Sequence, residues 1–208
     1  MRILTALTQK PLSMSNFFEG NNYFIDEKVG MFKMANEYRV YNENGDHIGA
    51  VKQKLSAGAI ALRLFLNKQM LPFTLDIENA NGGVEATISR GWTFWMSKIN
   101  IKDGNGNPIG EVKQKFKFFK PTFLINDTAG SNVAQITGDW SAWDFNIADS
   151  SNNQIGTINK KWNGALKEIF TTADKYVVSI NPNYTARESK MAVLATAITI
   201  EMVLKENK

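Results

Sequence analysis

The amino-acid sequence predicts a mainly β fold: a closed antiparallel β-barrel of about twelve strands enclosing a hydrophobic C-terminal α-helix. Three observations predict it. Short alternating segments are separated by turns rich in Asn, Asp and Gly, one strand motif recurs along the chain, and the final helix is apolar all round. A helix without a polar face must be buried on every side, and antiparallel strands cover it completely only when their sheet closes around it.

The composition is that of one globular protein of 208 residues, with 43% hydrophobic and 21% charged residues. We expect an N-terminal extension over residues 1–20 and a barrel domain over 21–208. The chain has no cysteine, which excludes disulfides, thiolate nucleophiles and cysteine-bound metals. Its net charge of +4 is mild and favours anionic partners.

The first strands are predicted at residues 23–29, 32–35 and 38–41. The segment 47–55, which contains Ile48-Gly49 and Val51-Lys52-Gln53-Lys54, then returns as 108–116 and more loosely as 154–162. Each copy follows a turn (42–46, 103–107 and 149–153), and each turn follows an alternating segment (38–41, 98–102 and 143–148). The repeated unit is therefore a β-hairpin.

Two further hairpins are predicted from residues 73–77 with 84–88, and from 122–125 with 133–136. The last strand is predicted at 176–180. Residues 59–70 fit either a helix or a strand followed by a loop, because their apolar residues suit both.

The C-terminal helix is predicted at about residues 188–204, and every residue between Lys190 and Glu201 is uncharged. Thr196 and Thr199 can return their hydroxyls to the helix backbone. A membrane span needs about 20 apolar residues, and Glu201 interrupts this run, so we predict burial inside the protein and no transmembrane span. The residues singled out for the buried helix are Met191, Val193, Leu194, Ile198, Ile200 and Glu201, of which Glu201 would need a cation or backbone donors.

The repeated strands place their lysines on the face opposite their apolar residues, because side chains alternate along a strand. If these outward rows adjoin, they form a basic patch for anionic phospholipid headgroups. The other interpretation is an ordinary solvated strand face, on which lysines prevent aggregation. The predicted headgroup-binding residues are Lys52, Lys54, Lys113, Lys115, Lys117 and Lys161.

No catalytic residue and no cofactor are predicted. His47 is the single histidine, lies beside a turn and is expected to be exposed, which argues against a serine-histidine triad or a multi-histidine metal site. The carboxylate pairs Asp144 with Asp149 and Asp76 with Glu78 are interpreted as turn-formers and surface charge. The tryptophans are expected to pack in the core and at the barrel rim: Trp92, Trp95, Trp140, Trp143 and Trp162.

Several of these segments together resemble the phospholipid scramblase-related and LURP-one-related families, which share the tubby-like C-terminal fold. The matching motifs are the repeated Ile-Gly-x-Val, Gly138-Asp139-Trp140, Trp143-Asp144-Phe145, residues 155–164, residues 170–176 and the final helix with Glu201. The resemblance implies a barrel threaded by a hydrophobic helix. Scramblases also have a calcium-binding acidic segment before the helix; here that stretch keeps only Asp174, a weak calcium candidate, so no metal site is predicted.

The function predicted from these observations is a non-enzymatic binding or scaffolding module. Its partner would be anionic phospholipid at the inner membrane surface or another protein, in the cytoplasm, with no nucleic acid. No secretory leader is recognised at the N-terminus. Two alternatives stay open: a phospholipid scramblase or lipid-transfer protein that releases its helix into the bilayer, and an enzyme with an unrecognised site. The oligomeric state is left open.

Overall fold

A computed structural model describes residues 16–27, 37–55, 71–92, 98–115, 121–139, 141, 143–160 and 175–205. Within these ranges a short 3-10 turn, Asn16–Phe18, precedes twelve strands and one α-helix. The strands are β1 (Asn22–Glu27), β2 (Glu37–Tyr41), β3 (His47–Lys54), β4 (Phe73–Asn79), β5 (Val84–Arg90), β6 (Lys98–Asp103), β7 (Pro108–Lys115), β8 (Thr122–Asp127), β9 (Asn132–Asp139), β10 (Asp144–Asp149), β11 (Gln154–Asn159) and β12 (Lys175–Ile180), and the helix is α1 (Arg187–Lys205). The predicted segments at 32–35 and 59–70 lie outside the described residues.

The twelve strands form a closed barrel, as predicted. Each strand pairs antiparallel with its neighbours in the chain, and β1 pairs with β12 to close the sheet. Closure gives the backbone donors and acceptors of the first and last strands a partner, so this barrel has no free sheet edge.

Strand direction makes the two ends of the barrel different. All five tight turns, at 42–46, 79–83, 103–107, 127–131 and 149–153, lie at one end, which we call the hairpin rim. The opposite end, where β3, β5 and β7 finish and β4, β6 and β8 begin, we call the loop rim. Helix α1 follows β12 and therefore starts at the hairpin rim.

Four of the five turns share one pair of side-chain hydrogen bonds, and the turn at 127–131 has the second of the pair. In the turn at 149–153, the Asp149 Oδ1 accepts from the backbone N–H groups of Ser151 and Asn153, both at 2.9 Å. The fourth residue of each turn has a positive φ, from 66° at Asn152 to 85° at Gly106. This conformation explains why Gly or Asn recurs at that place. The predicted turn positions are confirmed.

The glycine of the repeated Ile-Gly motif has a packing reason. A Cβ added at Gly49, Gly110 or Gly156 would overlap a carbonyl oxygen on the neighbouring strand, from Glu78, Asn126 and Ser179 respectively. Glycine therefore recurs in the repeat because two backbones approach closely beside each hairpin turn.

Helix α1 fills the barrel. Residues 191–200 are all buried, and the helix contacts β5, β7, β8, β12 and the 3-10 turn. Thr196 donates to the Ala192 carbonyl at 2.6 Å and Thr199 donates to that of Ala195 at 2.8 Å, as the sequence predicted. The enclosed helix is confirmed for Met191, Val193, Leu194, Ile198 and Ile200, whereas the side chain of Glu201 lies outside the described part.

The first turns of α1 are anchored at the hairpin rim by two cations. Lys190 is 5% exposed, and its Nζ donates to the Asn21 Oδ1 at 2.9 Å and the Gly20 carbonyl at 3.2 Å. Arg187 pairs with Glu85 of β5 at 3.2 Å. Burial lowers the pKa of Lys190, while the charge of Glu19 opposes that shift.

Phe17 and Phe18, inside the predicted N-terminal extension, are buried in the core.

In the part of the chain that the structure describes, none of the helices combines the length and the apolar character that crossing a bilayer requires.

Candidate phospholipid-contact surface

The lysines of β3 face outward, as predicted, but each lies against an acid of β4. Lys52 forms an ion pair with Glu78, and Lys54 forms one with Asp76. The hydrogen bond to Glu78 raises the pKa of Lys52. Strand β3 therefore carries cations whose charge the next strand cancels.

Asp76 corrects the sequence interpretation. It was expected to be surface charge together with Glu78, yet it is only 2% exposed. Its carboxylate accepts from the Thr87 hydroxyl at 3.0 Å and lies beneath Lys54. A buried carboxylate needs such partners, because leaving one unpaired is expensive.

The second copy of the repeat has a different neighbour. Lys113 and Lys115 of β7 also face outward, but β8 presents no acid to them, only Thr122, Leu124 and Asn126. Within the described residues the acid beside Lys113 is Glu111, on β7 itself. Its carboxylate contacts Lys113 at 2.6 Å and also pairs with Lys98 of β6.

Two lysines, Lys98 and Lys113, thus share one carboxylate, and Lys115 lies two positions beyond Lys113 on the same face of β7. We call Lys98, Lys113, Lys115 and Glu111 the β6–β7 lysine cluster. Hydrogen bonds from Lys113 and Lys98 lower the pKa of Glu111 to about 2, so the carboxylate stays ionised at neutral pH. The formal charge of the cluster is then three minus one, or +2. All three lysines are exposed, and Lys115 has no ion pair within the described ranges.

The two lysine rows do not adjoin. Strands β4, β5 and β6 separate β3 from β7, a distance of about 19 Å around the barrel wall at about 4.8 Å per strand. The predicted patch is therefore reduced to the cluster on β6 and β7. Lys117 and Lys161 lie outside the described residues. Sequence reasoning missed Lys98, although the predicted hairpin pairs it with Lys113.

The remaining predicted positions divide between confirmation and correction. His47 is exposed, as expected, and its ring meets the edge of Tyr41 at 5.5 Å. Asp149 is a turn-former, and Trp143 packs against the core. Trp92 follows the end of β5 at the barrel rim, as expected, but it is 53% exposed instead of packed. Trp95, Trp140, Trp162 and the calcium candidate Asp174 fall outside the described part.

Within the described residues, no three His, Cys, Asp or Glu side chains are placed to hold a metal ion. A shallow groove on the barrel wall beside Gly110 contains Glu111 and Asp127. The lysines hold Glu111 in its ionised form, which does not suit it for proton transfer near neutral pH.

Comparisons with known proteins converge on one family. The model of the family described as Scramblase matches residues 17–207. A phospholipid scramblase family protein of Schizosaccharomyces pombe is 22% identical over 88% of this chain and 48% of its own length. Altered inheritance rate of mitochondria protein 25 of Saccharomyces cerevisiae is 23% identical over 84% of this chain and 59% of its own. The chain therefore spans about half of these two relatives.

Human phospholipid scramblase 1 is 30% identical over 50% of this chain and 37% of its own length. Among solved structures, a protein from Arabidopsis thaliana superposes with a TM-score of 0.52 at 8% identity, covering 90% of this chain and 92% of that one. At that identity the match supports the fold alone.

Proposed function

The chain belongs to the scramblase family, and on that premise we propose that it is a non-enzymatic module that binds anionic phospholipid headgroups reversibly at the inner surface of a membrane. The observation that carries the proposal is the β6–β7 lysine cluster, which has three exposed cations and one carboxylate, the latter paired with Lys98 and Lys113. Each lysine close to an anionic surface contributes about 1 kcal/mol, so a net charge of +2 supports weak, salt-sensitive binding.

The contrast between the two repeat copies supports the same choice of surface. Both copies contain Val-Lys-Gln-Lys, so their intrinsic chemistry is the same. On β3 the acids Asp76 and Glu78 neutralise the lysines, whereas on β7 the facing strand β8 offers neutral side chains. Only the second copy leaves positive charge available to a phosphate.

This contrast provides a matched experiment. Sedimentation with vesicles of phosphatidylcholine and phosphatidylserine should show binding at low salt, and none to vesicles of phosphatidylcholine alone. The K113Q/K115Q variant should lose about tenfold or more in affinity, since it removes about 2 kcal/mol of attraction. The K52Q/K54Q variant has the same net charge and should lose clearly less. Indifference of the native chain to lipid charge would refute the proposal.

Phospholipid scrambling is the second candidate function, favoured by the names of the relatives, which are phospholipid scramblases. It would require α1 or the barrel wall to open a path for headgroups across the bilayer. Reconstitution into vesicles with fluorescent lipid, followed by dithionite quenching, tests it. Quenching of the inner-leaflet lipid above that of protein-free vesicles supports scrambling, and equality with them removes it.

A further inference from the structure

We infer that the barrel meets an anionic membrane through its loop rim, with Trp92 and the β6–β7 lysine cluster at the contact and the hairpin rim directed to water. The inference rests on the proposed lipid binding and adds the orientation of the molecule at the membrane.

Trp92 supplies the apolar part of this contact. It follows β5 at the loop rim and is 53% exposed, one of two large apolar side chains exposed within the described residues. Strand β6 begins at the same rim with Lys98, which pairs in register with Lys113 of β7. An indole with neighbouring lysines suits the headgroup region, where a Trp ring keeps its apolar body in lipid and its N–H in water.

The tight turns of the hairpin rim have the opposite charge, although Arg187 and the buried Lys190 lie at the same end of the barrel. The five turns, 42–46, 79–83, 103–107, 127–131 and 149–153, contain no Lys or Arg and five carboxylates, namely Glu43, Asp46, Asp103, Asp127 and Asp149. Hydrogen bonds from Asn153 help to hold the pKa of Asp149 below its ordinary value. An anionic bilayer repels such a rim at close approach.

The height of the barrel makes electrostatic repulsion by the membrane differ between the orientation with the loop rim down and that with the hairpin rim down. Strand β7 runs from one rim to the other over Pro108–Lys115, about 23 Å of strand or about 18 Å along the axis at a tilt of about 40°. The Debye length at physiological salt is about 8 Å. With the loop rim down, the five carboxylates lie about two Debye lengths away and are screened. With the hairpin rim down they would touch the lipid headgroups.

The absence of cysteine allows single-cysteine probes for a direct test. G91C places a label beside Trp92, where a Cβ meets no atom within 4 Å. N105C places the same label on the exposed turn between β6 and β7, at the opposite rim of the barrel. With the environment-sensitive fluorophore NBD and phosphatidylserine-containing vesicles, we expect the G91C label to brighten and to be quenched by lipids with spin-labelled acyl chains. The fluorescence of the N105C label should be the same with vesicles as in buffer alone.

Two results would overturn the orientation. One is a labelling result obtained while the protein sediments with the vesicles: the label at N105C enters the bilayer, or the label at G91C stays in water. The other is tighter binding, at about 0.15 M salt where the Debye length is about 8 Å, by D103N/D127N/D149N, in which each Asn keeps the Oδ1 acceptor that Asn42 and Asn79 already supply in two of the turns. We expect that triple variant to bind as the native chain does. A native chain that fails to sediment overturns the proposed function itself, and the orientation with it.

Discussion

At the scale of single residues, the sequence was most informative where one residue type has one physical reason. The Asn, Asp and Gly positions of the turns were predictable, because a positive φ and a side-chain acceptor restrict the choice. The burial of Asp76 was not, since its partners Lys54 and Thr87 come from other strands. Charge balance at a strand depends on its neighbour, which a single segment does not contain.

Gly110 provides a prediction at this scale. Substitution by Ala should destabilise the fold by about 1–3 kcal/mol, because the added Cβ would overlap the Asn126 carbonyl oxygen on β8. Urea unfolding measures the change. Gly91→Ala is the matched control, since its Cβ would lie in open space and should change stability little. Equal unfolding midpoints for the two variants would contradict the packing explanation.

Glu111 should give stability a defined pH dependence. Its folded pKa of about 2 lies below the ordinary value of 4.5, so it stabilises the fold above the unfolded pKa and loses that contribution as pH falls toward 2. The native chain should therefore exceed E111Q in stability by a constant amount above about pH 5.5, and the gap should shrink between about pH 4.5 and 2. Urea unfolding at a series of pH values checks this, and a gap independent of pH would argue against it.

At the scale of elements, the C-terminal helix was predicted nearly to its ends, at 188–204 against the observed Arg187–Lys205. Its uniform apolarity left burial as the one consistent solution. The anchor at its start was not predictable, because the oxygens that receive Lys190 belong to residues 19–21, about 170 positions earlier in the chain. Contacts between distant segments of this kind leave no local pattern.

The Lys190 anchor should be measurable. Replacement by Met keeps the length of the side chain but removes the donor to Asn21 and Gly20, and we expect a loss of about 2–3 kcal/mol in unfolding free energy. Lys102→Met is the control, because Lys102 is exposed and has no ion pair in the described part of the barrel. If both variants unfold at the same urea concentration, the anchor contributes nothing.

At the scale of the whole molecule, the closed barrel followed from combining hairpins with a buried helix, and the structure confirms it. The lysine surface was only half foreseen. Alternation put the right side chains outside, but the number of strands between two rows decides whether they meet. The acids of β4 decide whether the positive charge of the β3 lysines is balanced by a partner.

Salt should separate membrane binding from folding. Raising ionic strength from about 0.01 M to 1 M shortens the Debye length from about 30 Å to about 3 Å. Vesicle binding should fall by at least tenfold over that range, while the thermal unfolding midpoint should change little because the core is apolar. Salt-independent sedimentation would point to an apolar or protein-mediated contact instead.

The order of elements along the chain has a consequence for biogenesis. All twelve strands leave the ribosome before α1, so for a time their inward residues have nothing to pack against. Strand β12, which closes the sheet against β1, directly precedes the helix in the chain. Until β12 has been synthesised, the sheet is open and its apolar face is exposed. The side chains that line the barrel therefore receive their packing partner only when the last segment of the chain, Arg187–Lys205, has been synthesised.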